Sequence, residues 1–219
     1  MPASDVPWLG ARLREERLKQ GISLRSLARD VGVSASMISQ IETAKSRPSV
    51  STLYAITSAL GISIEEVFAT PDLPFEQPRA GGGAAPSAGP PATVVEVLEA
   101  MRGRRRGPLV RPAERQVLTL DSGVTWELLG ELPPYPVDFM LVTYAPGGTS
   151  STSGGLMRHS GSEFGFLLSG ELTLTLGFEE IQVRPGDSIS FDSTTPHGYR
   201  NDGTEPAVGV WFVVEEDPR

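Results

Sequence analysis

Two different periods of hydrophobic residues divide the chain into a helical first third and a strand-rich second half. In residues 1–70, apolar residues recur at helical spacing between serines and glycines. Ser23 and Ser34 are suited to cap short helices at their N-termini, and Gly32 and Gly61 are suited to end them. The pattern predicts five short helices packed as one compact bundle.

The second half of the chain alternates apolar and polar residues in short runs such as VTWELL, ELTLTLG and AVGVWFVV. Gly, Pro and Asp separate these runs, which is typical of a β-sandwich or barrel. Residues 71–93 are rich in Pro, Gly and Ala and have no hydrophobic period, so we expect a flexible linker there. The predicted organisation is a helical domain over residues 1–70, a linker with an Arg-rich end over residues 71–108, and an all-β domain over residues 109–219.

The charge is distributed unevenly along the chain, whose net charge is −8. Residues 1–69 contain eight Lys and Arg and seven Asp and Glu, whereas residues 116–219 contain four Arg and fifteen Asp and Glu. Because attraction to phosphate is local, the acidic second half does not exclude nucleic-acid binding by the first. The basic segment 102–106 has two interpretations, a solvated run or a second contact with a DNA backbone.

The absence of cysteine excludes disulfides, thiolate metal sites and a cysteine nucleophile, and it fits a reducing compartment. The N-terminal MPASDVPWLG has neither a basic region nor an apolar core, so we expect no signal peptide. Apolar runs such as VGVWFVV are too short to span a bilayer. These features predict a cytoplasmic protein without a membrane segment.

One segment carries two helices joined by a tight glycine turn, the second beginning with small polar residues. This segment, SLRSLARDVGVSASMISQIETAKSRPSVSTLYAITSALGISIEEVF, resembles the lambda-repressor-like (Xre-type) helix-turn-helix family, and the resemblance covers residues 9–68. It implies that helix 35–42 enters the major groove of an operator in double-stranded DNA. Met37, Ile38 and Ile41 are the apolar residues available to face the bundle interior.

The same resemblance implies which side chains face DNA. Ala35, Ser36 and Gln40 take the base-facing positions, and the long amide of Gln40 can form two hydrogen bonds with adenine. Lys45, Arg47 and Arg25 are placed for phosphates. Ser34 is interpreted as a helix cap rather than a base contact. The complete predicted DNA-binding set is Arg25, Ser34, Ala35, Ser36, Ser39, Gln40, Thr43, Lys45 and Arg47.

Two further positions of the resemblance concern structure rather than recognition. Arg17 and Glu42 match positions that form an internal ion pair in the family. Ala44 stands where the family usually has glycine at a helix end, so the turn is expected to differ locally or to carry a small strain.

The segments MRHSGSEFGFLLSGELTLTLG and VRPGDSISFDSTTPHGYRN resemble the two motifs of the cupin family, over the strand-rich half of the chain. His159, Glu163 and Gly170 hold the spacing of the first motif, and His197 and Asn201 hold that of the second. The resemblance implies a cupin fold, a small β-barrel or jelly roll, which commonly dimerises through its strands. We therefore expect a homodimer through this domain.

The resemblance also implies a metal site, with one departure. Metal-binding cupins use three histidines and the glutamate, and Met157 replaces the first histidine here. His159, Glu163 and His197 remain, a set that suits one divalent ion such as Fe, Mn, Ni or Zn. Alternatively, the barrel has lost the metal and uses its pocket for an organic effector, with the histidines as hydrogen-bonding groups.

Strand alternation indicates which other side chains point into the barrel, because residues two apart share a face. Tyr199 shares the face of His197 in this way, while Val142 and Val213 are interpreted as core. Arg158 and Arg200 alternate away from the histidines and are expected at the surface. The predicted ligand pocket consists of Met140, Tyr144, Met157, Tyr199 and Trp211.

Together the two resemblances imply a transcriptional regulator in which a small molecule or metal in the barrel changes operator affinity. The alternative is an enzyme similar to the iron-dependent hydroxypropylphosphonate epoxidase, which has the same domain order. In that case His159, Glu163 and His197 hold iron, and the helical domain covers the active site. A weaker alternative is a cupin isomerase or dioxygenase with an incidental helical domain. The sequence predicts no route for a signal across the linker.

Overall fold

The computed structural model describes residues 7–68, 109–130 and 137–214. The first range is helical, as its hydrophobic period predicts. Its elements are α1 (Pro7–Lys19), α2 (Leu24–Val31), α3 (Ala35–Glu42), α4 (Val50–Leu60) and α5 (Ile64–Phe68). We call this bundle the head.

The polar caps of the head lie where the sequence predicts them. The side chains of Ser23 and Ser34 accept hydrogen bonds from the first turns of α2 and α3, and Ser49 does the same for α4. Gly32 and Gly61 end α2 and α4 in the left-handed conformation. These five helix boundaries therefore have a local chemical cause.

The head encloses a core made by one face of each helix. Leu13, Leu27, Ile38 and Leu53 are all at most 1% exposed. The prediction that Met37 faces the interior is wrong, because its side chain is 42% exposed. Met37 lies one position from Ile38, and consecutive helical residues do not share a face.

The remaining ranges fold into two antiparallel sheets, and we call this part the barrel. The strands are β1 (Val117–Thr119), β2 (Val124–Gly130), β3 (Val137–Tyr144), β4 (Ser162–Ser169), β5 (Leu172–Leu176), β6 (Glu179–Val183), β7 (Ser188–Asp192), β8 (His197–Arg200) and β9 (Ala207–Val214), after a 3₁₀ turn at Pro112–Glu114. One sheet has the order β1-β2-β3-β9-β4-β7 and the other β6-β5-β8.

Burial alternates along the longer strands, so their inner side chains fill the space between the sheets. In β3, Met140, Val142 and Tyr144 are buried, and in β9, Trp211 and Val213 are buried, as predicted. Strand β8 is absent from the alternating runs that the sequence shows. Its inward side chains are His197 and Tyr199, which are polar and so do not stand out in a hydrophobic pattern.

The head and the barrel are in contact through the N-terminal half of α4. The backbone N–H of Ser51 donates to the carbonyl oxygen of Ser150 at 2.9 Å, and the N–H of Asp121 donates to that of Pro48 at 3.0 Å. The side chain of Tyr54 on α4, 5% exposed, lies against His159 of the barrel. This contact is not among the features predicted from the sequence.

Several expectations fall on residues outside the described ranges. They include the predicted linker, the arginine-rich segment 102–106 and the predicted boundaries of the two domains. Within the described ranges, none of the helices is long and apolar enough to cross a membrane.

Candidate functional site

The outer surface of α3 carries the residues predicted to face bases. Ser36 and Gln40 are exposed, while Ala35 and Ser39 are half-buried. Ile38 and Ile41 on the opposite side are 1% and 2% exposed and fix the helix against the core. The helix therefore presents a row of small polar side chains and one long amide to solvent.

The cations predicted to contact phosphates surround this row. Arg25 on α2, and Lys45 and Arg47 in the segment after α3, are all exposed. Ser34 is exposed, but its oxygen accepts from the Met37 N–H at 3.1 Å, which is the predicted role of a cap. The Thr43 hydroxyl donates to the Ser39 carbonyl at 2.7 Å, so it is turned back onto the helix.

A buried ion pair supports α3 from behind, as the sequence predicts. The Arg17 guanidinium donates from Nε and Nη2 to the two Glu42 oxygens at 2.6 and 2.9 Å. Its Nη1 donates to the Ile22 carbonyl at 2.8 Å. The side chains of Arg17 and Glu42 are 7% and 4% exposed. One guanidinium thus joins α1, the turn before α2 and the end of α3.

The turn after α3 keeps the conformation typical of glycine although Ala44 occupies it. The φ of Ala44 is 55°, the only positive φ of a non-glycine residue in the described ranges. A Cβ in this region costs about 1–2 kcal/mol, so the expected small strain is present beside the predicted DNA-facing surface.

Three predicted metal ligands come together where the two sheets of the barrel face each other. Glu163 lies on β4, His197 begins β8, and His159 lies in the segment before β4. Glu163 Oε1 is 2.9 Å from His159 Nε2 and 3.0 Å from His197 Nε2. The potential ligand atoms all lie within 4.8 Å of one another.

The other ring nitrogen of each histidine faces a backbone carbonyl. His197 Nδ1 is 2.8 Å from the Thr195 oxygen, and His159 Nδ1 is 3.2 Å from the Ser160 oxygen. A carbonyl accepts only, so both Nδ1 atoms carry hydrogen and both Nε2 atoms face Glu163. His197 Nε2 is buried and lacks a hydrogen bond of acceptable geometry. Two imidazoles and a carboxylate arranged in this way need protons or a cation between them.

These contacts shift the pKa values of Glu163 and His197. Burial raises the pKa of Glu163, but the imidazoles of His159 and His197 outweigh burial and lower the pKa to about 2. Burial lowers the pKa of His197, and the adjacent Glu163 carboxylate outweighs this and raises the pKa above its ordinary value. Without a metal, the Glu163 carboxylate therefore favours the protonated form of the His197 imidazole.

The predicted pocket residues surround this cluster and are all buried. The Tyr199 hydroxyl donates to Glu163 Oε2 at 2.8 Å, and Trp211 Nε1 donates to that hydroxyl at 3.3 Å. Burial, followed by the charge of Glu163, raises the pKa of Tyr199 well above its usual range, so the phenol stays protonated. Tyr144 lies against Tyr199, with ring centroids 6.0 Å apart.

The other two residues of the predicted pocket are Met157 and Met140. The backbones of Met157 and His197 exchange two hydrogen bonds of 2.9 Å, which places Met157 beside the candidate ligand. Met140 pairs with Trp211 across β3 and β9. A Cβ on Gly165 would lie 2.9 Å from the Trp211 ring, so this glycine makes room for the indole.

Two other motif residues serve the fold. Asn201 donates from Nδ2 to the carbonyl oxygens of Tyr144 and Glu205 at 2.9 and 2.8 Å, which ties the end of β8 to β3. Gly170 has a φ of 75°, and a Cβ there would lie 2.4 Å from the Pro206 oxygen. Both positions therefore shape the barrel without contacting the His159, Glu163 and His197 cluster in the structure.

Sequence reasoning missed two aromatic residues at this site, Tyr54 and Phe191, and the Phe191 ring centroid lies 5.0 Å from that of His197. Tyr54 on α4 stacks on His159, with centroids 4.3 Å apart and ring planes 6° apart. The available indication was that Tyr54 is an aromatic residue outside the spacing of the core residues Leu53, Ile56 and Leu60. A buried aromatic away from that face needs a second surface to cover it.

Comparison with known families assigns both parts of the chain. Residues 13–67 match the helix-turn-helix family, and residues 140–213 match the cupin domain family. The chain therefore contains a five-helix helix-turn-helix domain followed by a cupin domain, which confirms the predicted fold class.

Three known proteins align with most of this chain. The HTH-type transcriptional regulator PuuR of Escherichia coli (strain K12) is 29% identical over 194 residues, covering 88% of this chain and 86% of that protein. An HTH_3 family transcriptional regulator from Vibrio cholerae has the same fold, with a TM-score of 0.59 at 21% identity, over 98% of this chain and 100% of that one. The hydroxypropylphosphonic acid epoxidase from S. wedmorenis aligns with a TM-score of only 0.43 at 18% identity, over 95% and 98% of the two chains.

Proposed function

Because the chain joins a helix-turn-helix domain to a cupin domain, we infer that it is a sequence-specific DNA-binding transcriptional regulator whose cupin domain binds an effector. The observation that carries this inference is the surface of α3. Helix α3 exposes polar side chains to solvent and packs against the core of the head on its opposite side. Exposed cations precede it on α2 and follow it in the next segment. The similarity to PuuR, which extends over most of both chains, supports the same function.

Gln40 and Arg47 are proposed to have different roles in DNA binding, one toward bases and one toward the phosphate backbone. Gln40 is exposed on α3 and is long enough to form a bidentate pair with adenine, which specifies sequence. Arg47 is exposed after the turn of Ala44 and is placed to contact a phosphate, which positions the head without reading bases. Arg25 and Lys45 add further phosphate contacts.

The test is the affinity of the full chain for an operator selected from a random pool of DNA. We expect Gln40→Ala to weaken operator binding roughly 5- to 150-fold, because a bidentate base contact contributes about 1–3 kcal/mol. Arg47→Ala should weaken binding to all sequences alike and reduce the slope against log salt by about 1. Fluorescence anisotropy at several salt concentrations measures both effects.

The control is Arg184→Ala, which removes one exposed cation from the turn between β6 and β7 of the barrel. It should leave operator affinity unchanged. If Gln40→Ala and Arg47→Ala together kept specific binding, α3 would not be the recognition helix.

We also propose that the cupin domain holds one divalent ion through His159, Glu163 and His197. Two imidazole nitrogens and a carboxylate oxygen converge, both Nδ1 atoms face carbonyls, and His197 Nε2 has no hydrogen bond. A histidine that holds a metal commonly donates its other N–H to a carbonyl. Fe, Mn, Ni and Zn all suit such a set. Met157 adds a buried thioether where a third imidazole would stand.

The effector is proposed to contact the aromatic wall beside these ligands. Tyr144, Tyr199 and Trp211 offer apolar faces together with two hydroxyls and an indole N–H. A few polar groups in an apolar surrounding are typical of a small-molecule site. A metal ion and a small organic molecule can therefore occupy neighbouring parts of one site.

A second copy of the chain is the proposed partner of the outer face of the larger sheet. Phe164, Phe166 and Phe212 are 47%, 45% and 40% exposed there, and Val210 lies among them. The side chains that line this groove carry no charge. Since the barrel is acidic elsewhere, this face is where two copies can approach without repulsion. A two-fold dimer would place two recognition helices on half-sites roughly 34 Å apart.

Phe166→Glu should therefore convert the dimer to a monomer and weaken operator binding, because a buried charge in the interface cannot be paired. Sedimentation velocity measures the change of state. Phe178→Glu is the matched control, since Phe178 is fully exposed in the turn between β5 and β6. A Phe166→Glu protein that stayed dimeric would show that another surface mediates association.

The same ligand set also fits a mononuclear iron enzyme, and the two functions respond to different variants. A regulator loses its activity when Gln40 is replaced. An enzyme would tolerate that change and lose turnover in His197→Ala. The polar row on α3 favours the regulator.

A further inference from the structure

Tyr54 belongs to the head, yet its ring is buried against the barrel. Its face lies parallel to the imidazole of His159, with centroids 4.3 Å apart. Trp126 of the barrel also lies against Tyr54, in an edge-on arrangement with centroids 5.8 Å apart. Aromatic pairs of this kind stabilise a contact beyond the burial of their area.

Two hydrogen bonds join the head to the barrel at the start of α4. Ser51 lies in the first turn of α4, where a backbone N–H has no partner within the helix. It donates to the Ser150 carbonyl of the barrel, and the Asp121 N–H donates to the Pro48 carbonyl just before α4. The N-terminal turn of α4 is therefore completed by the barrel.

His159 is itself fixed by its contacts with the rest of the site. Nε2 is 2.9 Å from Glu163 Oε1, and Nδ1 is 3.2 Å from the Ser160 carbonyl. The His159 ring also meets the His197 ring at a steep angle, with centroids 5.2 Å apart, and Tyr54 covers one face of the imidazole. A change in the orientation of His159 therefore changes the surface on which the head rests.

We propose that Tyr54 is the positioning residue that latches the DNA-binding head to the candidate effector site through His159. This proposal rests on the regulator function inferred above. Docking of the head and the orientation of His159 are then coupled. By thermodynamic linkage, each of the two influences the other. The effector site is completed by a residue of the DNA-binding domain, and a signal can pass by this contact as well as along the chain.

The latch holds the head without using its DNA-facing surface. Tyr54 is buried, whereas Gln40 on α3 is exposed. A change at Tyr54 therefore acts on DNA binding only through the placement of the head. In a dimer, a docked head keeps the two recognition helices at a fixed separation, which raises the effective concentration of the second head.

Amide hydrogen exchange of the full chain, measured in the presence of a chelator, tests the latch. In Tyr54→Ala and in His159→Ala, the amides of Ser51 and Asp121 should exchange about 10-fold faster, because loss of an aromatic contact frees the interdomain hydrogen bonds. Tyr54→Phe keeps the ring and should retain the protection. The Leu53 amide donates to the Ser49 carbonyl within α4, so its unchanged exchange shows that the head stays folded.

Operator affinity gives the second readout. Each alanine variant should weaken binding about 5-fold, and the double variant should be no weaker than the single ones, since both remove the same contact. Unchanged exchange at Ser51 and Asp121, or additive effects on affinity, would overturn the latch.

The two proposals fail in different ways. If exchange responds as expected but the wild-type chain selects no operator, docking is correct and the regulator function is wrong. If the operator is bound specifically but exchange does not respond, the function is correct and the latch is wrong.

Discussion

Replacing Glu42 with alanine is expected to destabilise the head by about 3–5 kcal/mol, because it leaves the Arg17 guanidinium buried without its partner. The pair is bidentate, with distances of 2.6 and 2.9 Å, and both side chains are almost fully covered. Arg17 also holds the Ile22 carbonyl, so one loss affects α1, α2 and α3 together. Chemical denaturation followed by helical circular dichroism measures the effect.

Two variants show whether the buried charge is the cause. In Arg17→Met with Glu42→Leu, both charges are replaced by apolar groups, and most of the lost stability should return. Lys19→Ala removes an exposed cation that pairs with Glu15 and Glu16, and it should leave the midpoint unchanged. A Glu42→Ala protein as stable as the wild type would mean that water reaches Arg17, contrary to the burial in the structure.

Glu163→Gln is expected to weaken binding of a divalent metal by more than about 100-fold, since it removes the only anion among the three proposed ligands. The amide has the size of the carboxyl group but cannot neutralise the cation. Titration with Co²⁺, followed by the absorption of the bound ion, measures affinity, and elemental mass spectrometry measures the metal content of purified protein. We expect about one equivalent in the wild type.

The same substitution should change how stability depends on pH in the metal-free protein. The lowered pKa of Glu163 stabilises the folded barrel. This stabilisation is complete above pH 4.5 and is lost as the pH falls toward about 2. The raised pKa of His197 also stabilises the folded barrel. This stabilisation is complete below pH 6.5 and is lost as the pH rises through the pKa of His197 in the folded protein. The barrel should therefore be more stable at about pH 6 than at about pH 8.5. Glu163→Gln should abolish this difference.

Glu171→Gln is the matched control, because Glu171 is an exposed carboxylate in the turn after β4. It should change neither metal binding nor the dependence on pH. If wild type and Glu163→Gln both lacked metal, the histidines would be hydrogen-bonding groups of an organic effector site.

Local chemistry explains why the head could be predicted in detail. Ser23, Ser34, Gly32 and Gly61 each act on the backbone within a few residues, so their effects are visible in the sequence. Met37 shows the limit of this reasoning. It fits an apolar spacing beside Ile38 and Ile41, but only three-dimensional packing decides which of the three lies at the edge.

In the barrel, the histidines and glutamate were found through motif spacing, whereas β8 was not found through hydrophobic alternation. His197 and Tyr199 face inward because they pair with Glu163, and polar inward residues give no hydrophobic period. Tyr54 was missed for a different reason. Its partner His159 lies over one hundred residues away, across a segment whose composition predicts flexibility.

The three tryptophans occupy three different environments. Trp8 lies against Phe68 in the head, Trp126 lies against Tyr54 at the contact between domains, and Trp211 donates to Tyr199 beside Glu163. Each indole is thus a native fluorophore for one of these places. Replacing two of the three by phenylalanine would give three proteins whose emission reports separately on head unfolding, undocking and site occupancy, without an added dye.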